Sequence, residues 1–176
     1  LSLSLLFTAN VNADDLKQYE VSITNATTHH VFTPTLLVTH KASFNLFTLG
    51  TVASDGLAQQ AETGSPALLQ TETQAKDGVY DTQVGGFILY GQTVTYSITA
   101  EKKSRLSLTA MLASTNDAFI ALNGVALPKK SVTYYAHVYD AGSEANNEDC
   151  AFIPGPPCAM DSGNARTDSN EGFISL

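Results

Sequence analysis

The strongest constraint on the fold of this chain is the alternation of apolar and polar residues along several short segments. In residues 19–27, YEVSITNAT, the side chains of Tyr19, Val21 and Ile23 fall on one face of an extended chain. Similar β-forming runs, parted by turn signals, occupy residues 31–40, 92–100, 105–113, 118–124 and 131–140. Pro34 places the first of these runs at a sheet edge or a bulge. The pattern predicts six or seven strands in a mostly β protein, an antiparallel β-sandwich.

One segment interrupts the β pattern. Residues 53–64, ASDGLAQQAETG, predict a helix with Ser54 or Asp55 as its N-cap and with Gly64 closing it. Ser65 and Pro66 then predict the start of a second short helix. We therefore expect one or two short helices inserted in the β-sandwich.

Length and charge limit the classes of partner. A chain of 176 residues, 43% of them hydrophobic and 15% charged, is expected to form one globular domain. The formal net charge is -8. This balance argues against nucleic acid as a partner, because a polyanion requires a basic face. It is compatible with cation binding.

The first residues resemble the end of a secretory signal. Residues 1–13, LSLSLLFTANVNA, are uncharged, and Val11, Asn12 and Ala13 match the small-residue spacing of a cleavage site. We predict a signal remnant at residues 1–13 and the folded domain at residues 14–176, secreted to an extracellular or periplasmic location. The alternative is an ordinary N-terminal strand or helix. The run is too short for a membrane span. No transmembrane span is predicted elsewhere.

Cys150 and Cys158 flank the sequence AFIPGPP. In an exported protein, a local pair of this kind predicts a disulfide. The spacing is wider than a redox C-x-x-C motif, and two thiols are too few for a structural zinc site.

Familiar catalytic motifs are absent from the sequence. His29 and His30 are adjacent, so in a strand they point to opposite faces; His40 closes a predicted strand and His137 lies inside one. We expect each histidine to be structural or solvent-facing. The tripeptide at Asn25, Asn-Ala-Thr, matches a glycosylation acceptor.

Acidic residues are concentrated near the end of the chain. Seven acids and one base, Arg166, lie between Asp140 and Glu171, and Asp117 lies in a second acidic turn. Loops at one end of a sandwich come together, so Asp117, Asp140 and Glu144 are predicted to converge and supply the oxygen ligands that calcium prefers. From the residues alone, a solvated acidic loop is an equal alternative.

Several segments together resemble the spondin N-terminal domain, also called the F-spondin domain. They run in order from about Tyr19 to the end: ITNAT, FTP, LFTLGTVASDGLAQQAETG, TNDAF, NG, YDAGSEAN and EGF. The run NEDCAFIPGPPC is similar to that of short, single-domain bacterial members. Ser143 replaces a usual threonine, and Ala118 stands where animal members often have tryptophan.

The resemblance implies an antiparallel β-sandwich similar to calcium-dependent membrane-targeting domains. It also implies a calcium site at Asp117, Asp140 and Glu144, with Glu148 and Asp149 left in solvent. Family members usually continue beyond the final EG, so we expect the last strand to be truncated here.

The predicted function is that of an exported calcium-binding module for adhesion or ligand binding at a cell surface or in a matrix, and not an enzyme. Two alternatives stay open: a metal-free structural or interaction domain, and a calcium-assisted hydrolase of surface polymers. The sequence identifies neither the ligand nor the oligomeric state.

Overall fold

A computed structural model describes residues 16–158 and 172–176 of the chain. Antiparallel strands dominate these residues, with two short helices, as the sequence predicts. In chain order the elements are β1 (Leu16–Thr24), β2 (Val31–Phe32), β3 (Leu36–His40), α1 (Asp55–Thr63), α2 (Ala67–Gln74), β4 (Val79–Val84), β5 (Thr93–Glu101), β6 (Arg105–Ala113), β7 (Ala118–Ala126) and β8 (His137–Asp140).

The strands form two antiparallel sheets. In the larger sheet the order is β4-β3-β6-β7-β8, and β2 also pairs with β6; β1 and β5 form the smaller sheet. All five residues of β3 are buried, because β3 has a neighbour on each side and is covered on both faces. Of the two expectations for Pro34, the sheet edge is wrong and the bulge fits, because residues 33–35 lie opposite only two residues of β6 between the pairs Phe32–Leu112 and Leu36–Thr109. Pro34 lies between β2 and β3, outside the ladder, where its missing N–H costs no sheet hydrogen bond.

The two sheets pack face to face, which confirms the sandwich. Ile23 and Ile98 of the small sheet are buried with Leu37, Leu108 and Ile120 of the large one. Burial of each such side chain contributes roughly 1.5–3 kcal/mol. These apolar contacts hold the two sheets together.

Two polar contacts also join the sheets at Thr99 of β5. The backbone nitrogen of Thr99 donates to Asp81 Oδ2 at 2.8 Å, and its carbonyl oxygen accepts from Thr39 Oγ1 at 2.6 Å. Both side chains belong to the large sheet, so they satisfy backbone groups that the small sheet leaves unpaired on this side.

The helices cover the other face of the large sheet. Leu57, Ala61 and Leu69 are buried against Leu36 and Phe119 of β3 and β7. The predicted boundaries of α1 are confirmed. Its N-cap is Ser54, whose hydroxyl accepts from Leu57 N, and Gly64 follows the last turn with a φ of 76°.

Three strand predictions need correction. No strand was expected at β4, whose sequence VYDTQV has no regular alternation of apolar and polar residues. Strand β7 continues to Ala126, two residues past the predicted run 118–124, and residues 131–136, expected to be part of a strand, lie in a loop before β8. The last described residues pair as expected of a β segment, since Ser175 forms an antiparallel bridge with Asp140.

Neither α1 nor α2 has the length and apolar character that a membrane span requires. The predicted signal remnant, residues 1–13, lies outside the described residues and stays a prediction.

Candidate metal site at one end of the sheet

The antiparallel pairing of β7 with β8 brings the predicted acids to one end of the large sheet. Ala118 pairs with Asp140, so Asp117 lies beside Ala141, and the Ala141 amide donates to the Asp117 carbonyl at 3.2 Å. We call this region, residues 114–117 and 140–149, the acidic end. The predicted convergence of the two acidic segments is therefore a consequence of strand register.

The carboxylate of Asp117 organises the loop that follows β8. Its Oδ2 accepts hydrogen bonds from Ser143 N at 2.7 Å, Ser143 Oγ at 3.1 Å and Glu144 N at 2.9 Å. The chain turns towards Asp117 at Gly142, whose φ is 64°. A Cβ at this position would collide with the backbone of Phe173. Only glycine combines this φ with so close an approach.

The other oxygen of the same carboxylate is in a different situation. Asp117 is fully buried, and its Oδ1 has no hydrogen-bond partner within the described residues. Burial raises the pKa of this carboxyl, the Glu144 amide lowers it, and the nearby charge of Asp140 raises it again. A buried oxygen that lacks a donor is stabilised by a proton or by a cation.

Asp140 lies at the same end but is half-buried. Its Oδ1 accepts from Gly142 N at 2.6 Å, and its Oδ2 accepts from Asn146 Nδ2 at 2.6 Å. A carboxylate oxygen has two lone pairs, so each of these oxygens retains the capacity for one more partner.

Glu144, the third predicted ligand, has a fully buried side chain directly after the loop that Asp117 holds. The carboxylates of the three residues do not already form a cluster. Within residues 16–158 and 172–176, no three His, Cys, Asp or Glu side chains are grouped as metal ligands. The ligand assignment and the choice of calcium therefore stay predictions.

Glu148 and Asp149 are exposed to solvent. Their backbone amides donate to asparagine side chains: Glu148 N donates to Asn116 Oδ1 at 3.3 Å, and Asp149 N to Asn147 Oδ1 at 2.9 Å. Asn116 is a residue that sequence reasoning missed. It lies directly before Asp117 and connects the two loops of the acidic end.

A comparison with models of known families identifies the family of this chain. The family model Spondin_N matches residues 15–147. The chain belongs to the spondin N-terminal family. A search of curated proteins found no match. The family is that of an extracellular interaction or structural module, and it is not a known enzyme family.

The predicted disulfide is present and lies directly after the residues that the family model matches. Cys150 and Cys158 are bonded, with Cα atoms 5.2 Å apart. The bridged loop contacts the turn between β6 and β7, because Ser114 Oγ donates to the carbonyl of Pro156 at 2.7 Å. The disulfide therefore lies beside the acidic end, and it agrees with an extracellular setting.

Asn25 of the spondin domain has a structural role. It is fully buried, and its Nδ2 donates to the carbonyls of His30 and Ile88, at 2.9 Å each. Its Oδ1 accepts from the amide and the hydroxyl of Thr27. Every polar group of this amide is used, so the folded domain offers no access for glycosylation at Asn25.

The four histidines are placed as structural or solvent-facing residues, as expected. His40 ends β3 and is fully buried, whereas His29 and His137 are exposed and His30 is half-buried. His40 Nε2 lies 2.8 Å from Ser107 Oγ. Both residues are fully buried, so this pair is inaccessible to a substrate.

Proposed function

We propose that this spondin domain is a calcium-binding extracellular interaction module, with Asp117, Asp140 and Glu144 as the ligands at its acidic end. One observation carries the proposal: the buried Oδ1 of Asp117, which has no donor within the described residues while Asp140 lies nearby. A hard cation satisfies such an oxygen and offsets the repulsion between the two aspartates.

The loop geometry supports calcium better than a smaller cation. Calcium accepts six to eight oxygen ligands in flexible geometry, whereas magnesium demands a near-ideal octahedron. The acidic end consists of irregular loops, which hydrogen bonds to the side chains of Asp117 and Asn116 join. A bound ion would draw the carboxylates together and fix these loops, which we propose form the surface for an adhesive or matrix ligand.

The competing function is a metal-free structural or interaction domain. It is favoured by the three hydrogen bonds that Asp117 Oδ2 accepts and by the two that Asp140 accepts. These bonds give both aspartates a structural purpose without an ion.

Thermal unfolding in excess calcium and in chelator tests the proposal. A ligand at 100 times its dissociation constant stabilises the native state by roughly 2.7 kcal/mol if it binds only that state. We expect a clearly higher midpoint in calcium and a smaller effect of magnesium at the same concentration. Equal midpoints in calcium and chelator would favour the metal-free domain. A pull-down with cell-surface material, with and without chelator, then tests whether ligand binding needs the ion.

A further inference from the structure

The basic residues are segregated at the end of the sandwich opposite to the acidic end. The chain has nine Lys and Arg residues, and eight of them lie in the described part. All eight are on strand ends or turns at this one end: Lys17, Lys41, Lys76, Lys102, Lys103, Arg105, Lys129 and Lys130. A net charge of -8 conceals this arrangement, because the 17 acids outnumber the nine bases and are spread along the chain.

Six of these residues lie on four segments that are neighbours in the large sheet. Lys76 precedes β4, Lys41 follows β3, Arg105 begins β6, and Lys129 follows β7, which is the order β4-β3-β6-β7 of neighbouring strands. Adjacent strands are about 4.8 Å apart, so the bases extend over roughly 14 Å. We call this set the basic row: Lys41, Lys76, Lys103, Arg105, Lys129 and Lys130.

Backbone hydrogen bonds hold the segments of the row next to each other. The Lys41 amide donates to the carbonyl of Gly78 at 2.7 Å, which joins the segments after β3 and before β4. The Leu127 amide donates to the carbonyl of Ser104 at 3.3 Å, which joins the segments before β6 and after β7. The row is therefore built into the sheet and is not an accident of one flexible loop.

Exposed aromatic residues extend the row beyond Lys130. Tyr134 Oη donates to the carbonyl of Ala126 at 2.9 Å, which holds this loop against the end of β7. Tyr135 is 87% exposed and Val132 is 50% exposed. An exposed tyrosine ring offers a flat apolar face with a polar tip, which suits contact with a sugar ring.

The bases outnumber the acids at this end. Exposed Asp77 and half-buried Glu101 and Asp81 lie here, and Glu101 is hydrogen-bonded to the hydroxyl of Tyr80. The acidic end is separated from the row by the length of β6, nine residues, or roughly 27 Å. This distance is more than three times the screening length of about 8 Å at physiological ionic strength.

We propose that the basic row binds a linear acidic polysaccharide, with sulfate or carboxylate groups on the lysine and arginine side chains and a sugar ring on Tyr135. A row of cations at strand spacing fits an extended polyanion, whose charges repeat along a line. The extracellular setting of the family favours a polysaccharide over nucleic acid. The site is distinct from the proposed calcium site and does not depend on it.

Heparin, a sulfated polysaccharide, is the probe, and neutral dextran is its control. Binding to the oxidised domain is measured by titration calorimetry at low and at physiological salt. We expect heparin to bind and dextran not to bind. The affinity should fall steeply with salt, since each ionic contact with a single-stranded polyanion contributes a slope of roughly 0.7 to log K against log salt.

Matched variants test the location. Lys129→Gln with Lys130→Gln removes two charges from exposed positions of the row. We expect heparin affinity to fall about tenfold or more and the salt slope to decrease. Gln83→Glu with Gln92→Glu changes the net charge equally at exposed positions away from the row, near the end of β4 and before the start of β5, and should change affinity less than about twofold because of screening. Tyr135→Ala should weaken binding without changing the salt slope.

Three results would overturn the proposal. The first is no heparin binding at low salt, and the second is an equal loss in the row variant and its control. The third is single-stranded DNA binding as tightly as heparin, which would indicate a general polyanion or nucleic-acid surface. Heparin binding should be the same in calcium and in chelator. Loss of heparin binding in chelator would mean that the polysaccharide binds at the acidic end. If calcium fails to raise the melting midpoint but heparin still binds, the proposed function is wrong and the basic row stands.

Discussion

Asp117 Oδ2 lies 2.9 Å from the backbone nitrogen of Glu144, a residue 27 positions later in the chain. This contact positions the backbone of Glu144, the third proposed calcium ligand, beside Asp117. The same carboxylate keeps its Oδ1 buried without a donor in the described part of the chain. Asp117 therefore holds the loop with one oxygen, and the other is the oxygen that the proposed cation would satisfy.

The first prediction concerns Asp117→Asn. The amide oxygen of asparagine can still accept from the amides of Ser143 and Glu144, so the loop is preserved. Loss of the negative charge should greatly weaken calcium affinity, because a hard cation gains most from anionic oxygen. In chelator the variant should be as stable as wild type or slightly more stable, because the repulsion from Asp140 is gone. Calorimetry and melting in both buffers measure the two effects.

Asp140→Asn should also weaken calcium binding, and Glu148→Gln serves as the control. The Glu148 side chain is exposed, so its neutralisation should change affinity by less than about twofold. If Glu148→Gln abolished binding while Asp140→Asn preserved it, the ligand assignment would be wrong even with calcium confirmed.

The second prediction is a pH dependence in chelator. Burial raises the pKa of Asp117 above the usual value of about 3.9, so the folded state takes up a proton before the unfolded state does. This group therefore adds to the free energy of unfolding as the pH falls through its folded pKa. When the pH is lowered from 7 to 4, the free energy of unfolding of the wild type should rise relative to that of Asp117→Asn. A decrease would mean that the three hydrogen bonds on Oδ2 dominate and lower this pKa.

The sequence predicted the elements that carry strong local signals. Ser54, Gly64 and Pro66 define the helices through capping and φ preferences, and these positions are confirmed. The strand β4 was missed because VYDTQV lacks an apolar alternation. Its place is set by pairing with β3, with Leu36 opposite Val84, which is a tertiary effect.

The details of the candidate site depend on contacts that are distant in sequence. Spacing and family resemblance predicted that Asp117 and Asp140 would meet, and the β7–β8 register brings their segments together. That Oδ2 of Asp117 accepts the hydrogen bonds while Oδ1 accepts none in the described part of the chain was not predictable, since the donors lie 26 and 27 positions away. The basic row was hidden for the same reason, because its members come from four segments of an acidic chain.

The third prediction concerns the contact between the two helices. At Gly56 of α1, a Cβ would lie 2.5 Å from the Cα of Leu69 and 2.6 Å from Oε2 of Glu72. Gly56→Ala gains about 1 kcal/mol of helix propensity, but overpacking costs roughly 1–3 kcal/mol or more. The contact is with backbone, which cannot move aside, so we expect a net loss in chemical denaturation. Gly86→Ala, which meets no atom within 4 Å, should be nearly neutral.

The fourth prediction concerns the disulfide. Closing a loop with a sequence separation of 8 should contribute about 2.5 kcal/mol to the free energy of unfolding in the chain-entropy model. Reduction, or Cys150→Ala with Cys158→Ala, should lower the denaturant midpoint accordingly without changing the rest of the fold. The sequence has two cysteines, so thiol titration of the unfolded, unreduced protein should find no free thiol. Two titratable thiols would refute the bridge.

The fifth prediction concerns His40 and acid. A carbonyl oxygen only accepts, so His40 Nδ1 carries the hydrogen bonded to the Lys41 carbonyl at 2.8 Å, and Nε2 accepts from Ser107 Oγ. Burial lowers the pKa of His40, the Lys41 carbonyl raises it, and the charge of Arg105 lowers it further. The unfolded state therefore binds the proton more readily than the folded state does.

The sign follows from this difference. The contribution of His40 to the free energy of unfolding is fully present above the ordinary pKa of about 6.5 and is lost as the pH falls through and below that value. His40→Gln should be less stable than wild type at pH 8, because the buried hydrogen bonds are imperfectly replaced. Its stability should fall less between pH 7 and pH 5, so the two curves converge. His29→Gln, at an exposed position, should leave the wild-type profile unchanged, and parallel curves for His40→Gln would remove His40 from the acid response.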